Sequence, residues 1–261
     1  MEPEGDDVRL EGKVAIVTGS TRGIGRSIAE MFGREGAAVA VTGRTVEKGE
    51  KVVANITDAG GTAAFFPLDI TEEDSVRSTM DGVAQQFGKV DVLVNNAAPT
   101  DAVSATVKPL VDYTTDEWNR ILHGTLTGNV FWSCKYGLPH LIAAGGGSVV
   151  NISSGQSIVG LSGFAAYGAA KGAMNSITRS LAVENAPHGI RVNTIVVGRV
   201  VSHAKDSGVA MGPGHLTRLG IPDDIAYCAT WLASDEAAFV TGSLVTADGG
   251  FTINGNAIAG M

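Results

Sequence analysis

Three residues in the middle of the chain could together perform acid–base chemistry. Tyr167 and Lys171 are four positions apart, so one face of a helix would carry both a phenol and an ammonium group. A phenol normally titrates near pH ~10, and a positive charge beside it lowers that pKa. Ser154, upstream of both, could polarise a carbonyl oxygen while the phenol delivers the proton. The set predicts proton transfer to a carbonyl group.

A glycine-rich turn near the N-terminus predicts a site for a pyrophosphate. The turn follows a short β-branched run and precedes a stretch with apolar residues at helical spacing. A strand, a glycine turn and a helix in this order place backbone N–H groups and the positive end of a helix against phosphate oxygens. The expected cofactor contacts in the turn are Gly19, Thr21, Arg22, Gly23, Ile24 and Gly25.

Strand-like runs alternate with helical patterns along the chain, which predicts a parallel sheet with right-handed crossovers. Long helices are expected near 116–143 and 166–186. The non-periodic stretch 199–217 follows a strand, and ligands of such sheets bind beyond the strand ends, so this stretch is interpreted as a substrate lid. The expected strands lie at about 13–18, 38–42, 62–66, 90–94, 147–152, 190–196 and 243–246.

The motifs, in this order, resemble those of the short-chain dehydrogenase/reductase family over nearly the whole chain, from Leu10 to about Ile253. The resemblance implies the α/β class: a single-domain, Rossmann-type, doubly wound parallel sheet of seven strands with helices on both faces. The domain would span 10–261 and follow a disordered acidic segment, 1–9. The matching motifs are Thr18-Gly-x-x-x-Gly23-x-Gly25, Asn95-Asn96-Ala97-Ala98, Asn151-Ile-Ser-Ser154, Tyr167-x-x-x-Lys171, Ile190-Arg-Val-Asn193 and Asp248-Gly-Gly250.

The residues after the second strand bear on which nucleotide binds. An NAD site places a carboxylate there, which accepts hydrogen bonds from the ribose 2′-hydroxyl. This chain has Gly43 instead, followed by Arg44 and Thr45, with Arg22 in the glycine turn. Two guanidinium groups without a nearby acid suit a 2′-phosphate. The sequence therefore predicts NADP as the cofactor and NAD as the less favoured one.

The resemblance also assigns roles to individual residues. It makes Tyr167 the general acid/base, lets Ser154 hold the substrate oxygen, and places Lys171 on the nicotinamide ribose. It further implies assembly as a homotetramer, or a homodimer, through the two long helices. Besides Tyr167 and Lys171, the cofactor contacts expected along the sheet edge are Asp69, Ile70, Asn95, Ala97, Ile152, Gly198, Val200 and Ser202.

Composition excludes several other classes of function. The net charge of −8 and the lack of a basic stripe argue against a nucleic-acid surface. No apolar run reaches the length of a membrane span, and the acidic opening segment differs from a signal peptide, so a cytoplasmic protein is expected. The five histidines show no metal-ligand spacing, so no metal is expected. The expected partner is a small-molecule carbonyl or alcohol.

One departure from the family pattern bears on activity. Thr125 stands at the position of the family's fourth catalytic residue, an asparagine. Its hydroxyl could bond an upstream carbonyl and bend the helix, and Gly124 could ease the bend. Ala98 and Val197 replace a family glycine and a family proline.

Three functions remain in competition. The leading hypothesis is an NADP(H)-dependent oxidoreductase that interconverts a carbonyl and an alcohol by hydride transfer, with a tyrosine as general acid/base. The alternative is a catalytically weakened nucleotide-binding sensor, which rests mainly on Thr125. A third keeps the Ser154 and Tyr167 pair for cofactor-independent chemistry, which the intact glycine turn and Lys171 disfavour.

Overall fold

A computed structural model of the chain describes residues 8–201 and 216–254. Two predicted segments lie partly outside the described residues. They are the lid, of which residues 202–215 are not described, Ser202 among them, and the acidic segment, of which residues 1–7 are not described.

The described part of the chain builds one sheet of seven parallel strands in the order β3-β2-β1-β4-β5-β6-β7. The predicted α/β fold is therefore confirmed, with each strand within two residues of its predicted bounds. The register sets Val17 of the first strand opposite Val41 of the second and Val94 of the fourth, so these three carboxyl ends are level. The strands are β1 (Val14–Val17), β2 (Ala38–Gly43), β3 (Thr62–Pro67), β4 (Val92–Asn95), β5 (Gly147–Ile152), β6 (Ile190–Val197) and β7 (Leu244–Ala247).

Helices cover both faces of the sheet, which explains why the central strands are continuous apolar runs. The first, second and eighth helices pack on one face around Phe32, Ile56 and Leu232. The third, sixth and seventh pack on the other around side chains that include Met80 and Met174. The helices are α1 (Gly23–Arg34), α2 (Val46–Asp58), α3 (Glu73–Phe87), α4 (Thr100–Ala105), α5 (Thr115–Leu122), α6 (Ser133–Ala143), α7 (Ala165–Asn185) and α8 (Pro222–Ala233).

The long helix predicted near 116–143 has an irregular centre. A capping box starts α5, because Thr114 Oγ1 accepts from Glu117 N at 3.2 Å and the Glu117 carboxylate accepts from Thr114 N at 2.8 Å. Between α5 and α6 the chain is π-helical over His123–Trp132. π-Helical turns inside α-helices are rare and occur often at functional sites. Thr125 lies in this π segment.

Gly128 allows the π segment to approach the sheet edge. A Cβ atom at this position would lie 1.7 Å from the carbonyl oxygen of Ile70, so no side chain fits there. The φ angle of Gly128 is not positive, so the requirement for glycine is steric rather than conformational. The contact sets the depth at which the π segment lies over the carboxyl ends of the strands.

The surface bears on two further expectations. No helix within the described ranges has both the length and the apolar character that crossing a bilayer requires. Phe131, on the π segment, is 48% exposed. An exposed aromatic side chain on the long helix is consistent with a subunit contact, and assembly as a homotetramer or homodimer stays a prediction.

The Gly128→Ala variant should be less stable than the wild type by about 1–3 kcal/mol, because the helix or the Ile70 peptide must shift. Gly82→Ala is the matched control, since its Cβ would lie 3.7 Å from the Phe66 ring, an ordinary contact. The control should be unchanged or more stable by up to ~1 kcal/mol. Urea denaturation measures both, and equal free energies of unfolding would contradict the steric argument.

Candidate active site

The turn between β1 and α1 leads into a helix N-terminus, where the first backbone N–H groups have no partner within the helix. Gly19 and Gly23 have φ angles of +65° and +56°, in the region that favours glycine. Arg22 is the N-cap residue, and its side chain makes no capping hydrogen bond. A Cβ at Gly23 would meet no atom within 4 Å, so this glycine faces open space. The turn therefore fits a pyrophosphate group.

Gly25 keeps α1 close to the end of β4. A Cβ at this position would lie 2.4 Å from Asn96 Nδ2 and 2.5 Å from the carbonyl oxygen of Gly19. The Asn96 amide donates to the carbonyl oxygen of Thr18 at 2.9 Å, which ties the β4 end to the glycine turn. Ile24 packs on the adjacent core. The motif glycine thus has a packing role as well as a place in the turn.

The Thr18 hydroxyl joins three elements at the carboxyl edge of the sheet. It accepts hydrogen bonds from the backbone N–H groups of Asn96 (2.9 Å) and Ala97 (3.0 Å). It lies 2.7 Å from Asn129 Oδ1 of the π segment, to which it donates. Sequence reasoning did not name Asn129 as a site residue. No sequence signal could have found it, because the contact depends on the π-helical geometry.

The side chain of one expected cofactor contact, Asn95, bonds within the sheet. The Asn95 side chain is fully buried and donates to Asn151 Oδ1 at 2.8 Å, so it faces a neighbouring strand rather than the crevice. The contact of Asn95 with the cofactor stays a prediction. Asp69 is half-buried, and its Oδ1 accepts hydrogen bonds from Thr71. Burial raises the pKa of Asp69, but these bonds and the charge of Arg44 together bring it below its ordinary value.

The predicted 2′-phosphate site contains an acid that the sequence did not reveal. Arg44 and Thr45 are exposed beyond β2, as expected. Arg22, however, donates to Thr100 Oγ1 at 2.7 Å and lies 3.7 Å from Asp101 Oδ1. The sequence predicted two arginines without a nearby acid. This prediction is wrong, because α4 lies beside the glycine turn and carries Asp101. Both members of this ion pair are largely exposed, so it is weak and Arg22 can exchange partners.

The turn residue Thr21 contacts the end of β2. A Cβ at Gly43 would lie 2.6 Å from Thr21 Cγ2, so a larger residue at position 43 requires Thr21 to move.

At the far side of the crevice, a Cβ at Gly198 would lie 2.6 Å from Asp248 Cα. Val200 forms a β-bridge with Gly220. Close backbone packing therefore accounts for the glycine at position 198.

Lys171 and Tyr167 lie together on α7, beside the end of β5. Lys171 Nζ donates to the carbonyl oxygen of Ile152 at 2.6 Å and lies 5.7 Å from the centroid of the Tyr167 ring. Ser153 Oγ donates to the backbone of α7 at Lys171 O, at 3.2 Å. Ser154 instead donates to Gln156 Oε1 and lies within reach of the Tyr167 phenol. As the strand alternation predicts, the two serine hydroxyls go to different sides.

Burial controls the titration of this pair. The Lys171 side chain is 2% exposed, and burial lowers its pKa to about 7. Burial also raises the pKa of the Tyr167 phenol, while the hydrogen bond with Ser154 lowers it by less. The expected lowering of the phenol pKa by Lys171 stays a prediction. Its ammonium group is bonded to Ile152 rather than to the phenol oxygen.

Thr125 does not make the hydrogen bond that the sequence suggested. It is fully buried, and its Oγ1 has no hydrogen-bond partner among the described residues. The π-helical turns, rather than a threonine back-bond, disturb the helix here. Gly124 was expected to ease a bend, but it instead allows close contact with Pro99, whose Cγ would lie 2.9 Å from a Cβ at position 124.

No group of three or more His, Cys, Asp or Glu residues that could hold a metal ion occurs within residues 8–201 and 216–254. His203 and His215 lie outside these ranges.

Comparisons with known proteins agree with this geometry. The profile of the family described as enoyl-(acyl carrier protein) reductase matches residues 19–252. The 7α-hydroxysteroid dehydrogenase of Clostridium sardiniense is 39% identical, with 94% of this chain and 95% of that protein covered. The NADP-dependent (R)-specific alcohol dehydrogenase of Lentilactobacillus kefiri is also 39% identical, with 94% and 98% covered.

A solved structure supports the same family assignment. A 7α-hydroxysteroid dehydrogenase complexed with NADH and 7-oxo glycochenodeoxycholic acid superposes with a TM-score of 0.85 at 31% identity, with 95% of this chain and 97% of that chain covered. The chain belongs to the short-chain dehydrogenase/reductase family of oxidoreductases. The resemblance stated from the motifs is confirmed.

The buried Lys171 ammonium should make stability depend on pH. Its folded-state pKa of about 7 is below the ordinary value of 10.5, so between these values the unfolded chain binds more protons. Stability should therefore be lowest below pH 7 and should rise from pH 7 toward 10.5, by up to ~1.4 kcal/mol per pH unit from this group.

Replacing Lys171 by Met removes this proton, and the wild type should gain stability relative to Lys171→Met as the pH rises. Urea denaturation of both proteins at pH 7, 8 and 9 isolates the contribution, because the other titrating groups are shared. A difference that stays constant over this range would show that the lysine is not held with a lowered pKa.

Proposed function

We propose that the protein is an NADP(H)-dependent oxidoreductase that interconverts a ketone and a secondary alcohol. The observation that carries the proposal is the meeting of Ser154, Tyr167 and Lys171 at the same sheet edge as the uncapped N-terminus of α1. The named relatives support alcohol or carbonyl chemistry, since one is a hydroxysteroid dehydrogenase and one an alcohol dehydrogenase. The small-molecule partner is thus a secondary alcohol or its ketone.

Each residue of the set has a task that follows from its surroundings. Tyr167, whose pKa burial raises, keeps its proton at neutral pH and can deliver it to a carbonyl oxygen. Ser154, hydrogen-bonded to that phenol, orients the same oxygen. Lys171, with a pKa of about 7, can return a proton toward the site. A bound nicotinamide would supply the hydride, held by the glycine turn and by the edge residues Ile152, Gly198 and Ala97.

The preference for NADP is supported by charge. Arg44 directly follows β2, where the chain has Gly43 in place of a carboxylate, and Arg22 lies in the glycine turn beside Thr21. Guanidinium groups bind phosphate in a bidentate manner. One relative is named NADP-dependent, whereas the superposed hydroxysteroid dehydrogenase carries NADH, so the local residues carry this part of the proposal.

Tyr167→Phe should lower kcat by ~10²–10⁴, because a positioned acid/base contributes about this factor. The nicotinamide affinity, measured by fluorescence titration, should change little. Tyr227→Phe, an exposed tyrosine on α8, is the matched control and should keep full activity. A Tyr167→Phe variant that retains more than about a tenth of wild-type kcat would show that the role is misassigned.

Nucleotide preference should reverse in a Gly43→Asp/Arg44→Leu variant, assayed as kcat/KM with NADPH and NADH. A charge-assisted hydrogen bond contributes roughly 1.5–3 kcal/mol, and ~1.4 kcal/mol is tenfold in affinity. The NADPH to NADH ratio should therefore fall by tenfold or more. Equal kcat/KM values for the two nucleotides in the wild type would refute the NADP preference.

The contact between position 43 and Thr21 calls for a steric control. Gly43→Ala introduces the Cβ atom without the charge. Its effect should be the same with both nucleotides, so the ratio should stay at the wild-type value.

The alternative, a weakened sensor, rests on Thr125, whose buried hydroxyl lacks a partner among the described residues. We expect Thr125→Asn to change kcat by less than about tenfold, ~1.4 kcal/mol in barrier, because the irregular helix already exists without the asparagine. A carbonyl panel monitored at the reduced-nicotinamide absorbance tests this. A wild type without turnover that gains about a hundredfold or more in Thr125→Asn would favour the sensor.

A further inference from the structure

The short turn that follows Ser154 is held rigidly against α7. Gly155–Ser157 forms one 3₁₀ turn. Asn175 Nδ2 donates to Ser157 Oγ at 2.8 Å, and Ser157 Oγ donates to the carbonyl oxygen of Ser154 at 2.6 Å. A Cβ at Gly168 would lie 3.0 Å from the carbonyl oxygen of Gln156, so the glycine after Tyr167 allows this close approach. The backbone of the turn has little freedom to move.

This rigid turn places the Gln156 side chain on the reactive serine. The Ser154 hydroxyl donates to Gln156 Oε1 and lies within reach of the Tyr167 phenol, whose pKa it lowers. A hydroxyl has one proton and two acceptor lone pairs. While the proton points to Gln156, Ser154 has no proton to donate to a substrate oxygen or to a phenolate at Tyr167. The partner of the serine proton therefore decides whether Ser154 can polarise a carbonyl.

The amide of Gln156 can take either role toward Ser154. Its oxygen accepts and its NH₂ group donates, and half a turn about the last side-chain bond exchanges them. The described residues include no partner for Gln156 Nε2, so the exchange breaks no hydrogen bond to any of them. With Nε2 turned toward Ser154, the amide donates to the serine oxygen. The serine proton is then directed to the substrate.

We propose that Gln156 is a positioning residue that switches the direction of the Ser154 hydroxyl, from Gln156 in the free protein to the substrate oxygen in the complex. The proposal rests on the proposed carbonyl chemistry for its catalytic consequence. The direction of the hydroxyl in the free protein does not depend on that chemistry. Gln156 acts through Ser154 and needs no contact with the substrate.

The test compares an acceptor-only substitution with an apolar one. Gln156→Glu is an acceptor when ionised, so it keeps the serine proton and should lower kcat/KM for a ketone by about ten- to a hundredfold at pH 8, the order of one lost donor to a reacting oxygen. When the introduced carboxylate is protonated, it can again donate a hydrogen bond to Ser154. The kcat/KM of this variant should therefore recover as the pH falls toward about 5. Gln156→Met leaves the hydroxyl free to turn and should lose less than about fivefold, with no new pH dependence.

Gln86→Glu, an exposed position on α3, is the control for the change in net charge and should follow the wild-type pH profile. Circular dichroism and nicotinamide affinity check that each variant is folded. Equal losses in Gln156→Glu and Gln156→Met at every pH would reduce Gln156 to a packing role and overturn the proposal. So would a fully active Gln156→Glu variant at pH 8.

A second measurement needs no turnover. The phenol of Tyr167 is titrated by its phenolate absorbance, with Tyr167→Phe versions of each protein subtracted, within the pH range where circular dichroism stays native. Gln156→Met should lower the phenol pKa, because the freed serine proton can bond the phenolate, and Gln156→Glu should raise it. Shifts in the same direction, or no shift, would overturn the proposal. A wild type inactive on every carbonyl would refute the proposed function alone, and the titration would still decide the role of Gln156.

Discussion

The hydroxyl of Thr18 is the interaction on which the geometry of the crevice depends. It accepts from the backbone of Asn96 and Ala97 and donates to Asn129, so all its bonding capacity joins the end of β1 to the end of β4 and to the π segment. The strand order reverses between β1 and β4, which is where a parallel sheet opens a binding crevice. One buried side chain therefore connects the cofactor turn to the helix that borders the reactive residues.

The burial of polar groups at the candidate site costs free energy of folding. A buried ammonium at Lys171 is unfavourable, and its bond to the carbonyl oxygen of Ile152 offsets only part of the desolvation. The π segment beside it carries the hydroxyl of Thr125, for which the described part of the chain offers no hydrogen-bond partner. Unpaired buried polar groups and lowered lysine pKa values are typical of functional sites, because function rather than stability requires them there. The two buried hydrophobic clusters, one on each face of the sheet, offset this cost.

The local pattern of the sequence explains which parts of the structure could be predicted. Buried parallel strands require apolar β-branched runs, so the seven strands were visible as such runs, and the reactive residues were visible from the spacing of Tyr167 and Lys171. The contacts that the local pattern did not reveal are long-range ones. The side chain of Asn95 belongs to a cross-strand pair, and Asp101 approaches Arg22 only because α4 packs beside the glycine turn.

The sequence by itself determined the order of the elements and the family, and it predicted which residues form the site. These depend on residue types and local spacing, which the chain carries without folding. Only the tertiary structure decided the direction of each polar group: Ser153 toward the α7 backbone, Ser154 toward Gln156, and Lys171 toward Ile152. A hydroxyl or ammonium bonds whichever partner burial brings within about 3 Å, and folding alone brings those partners together.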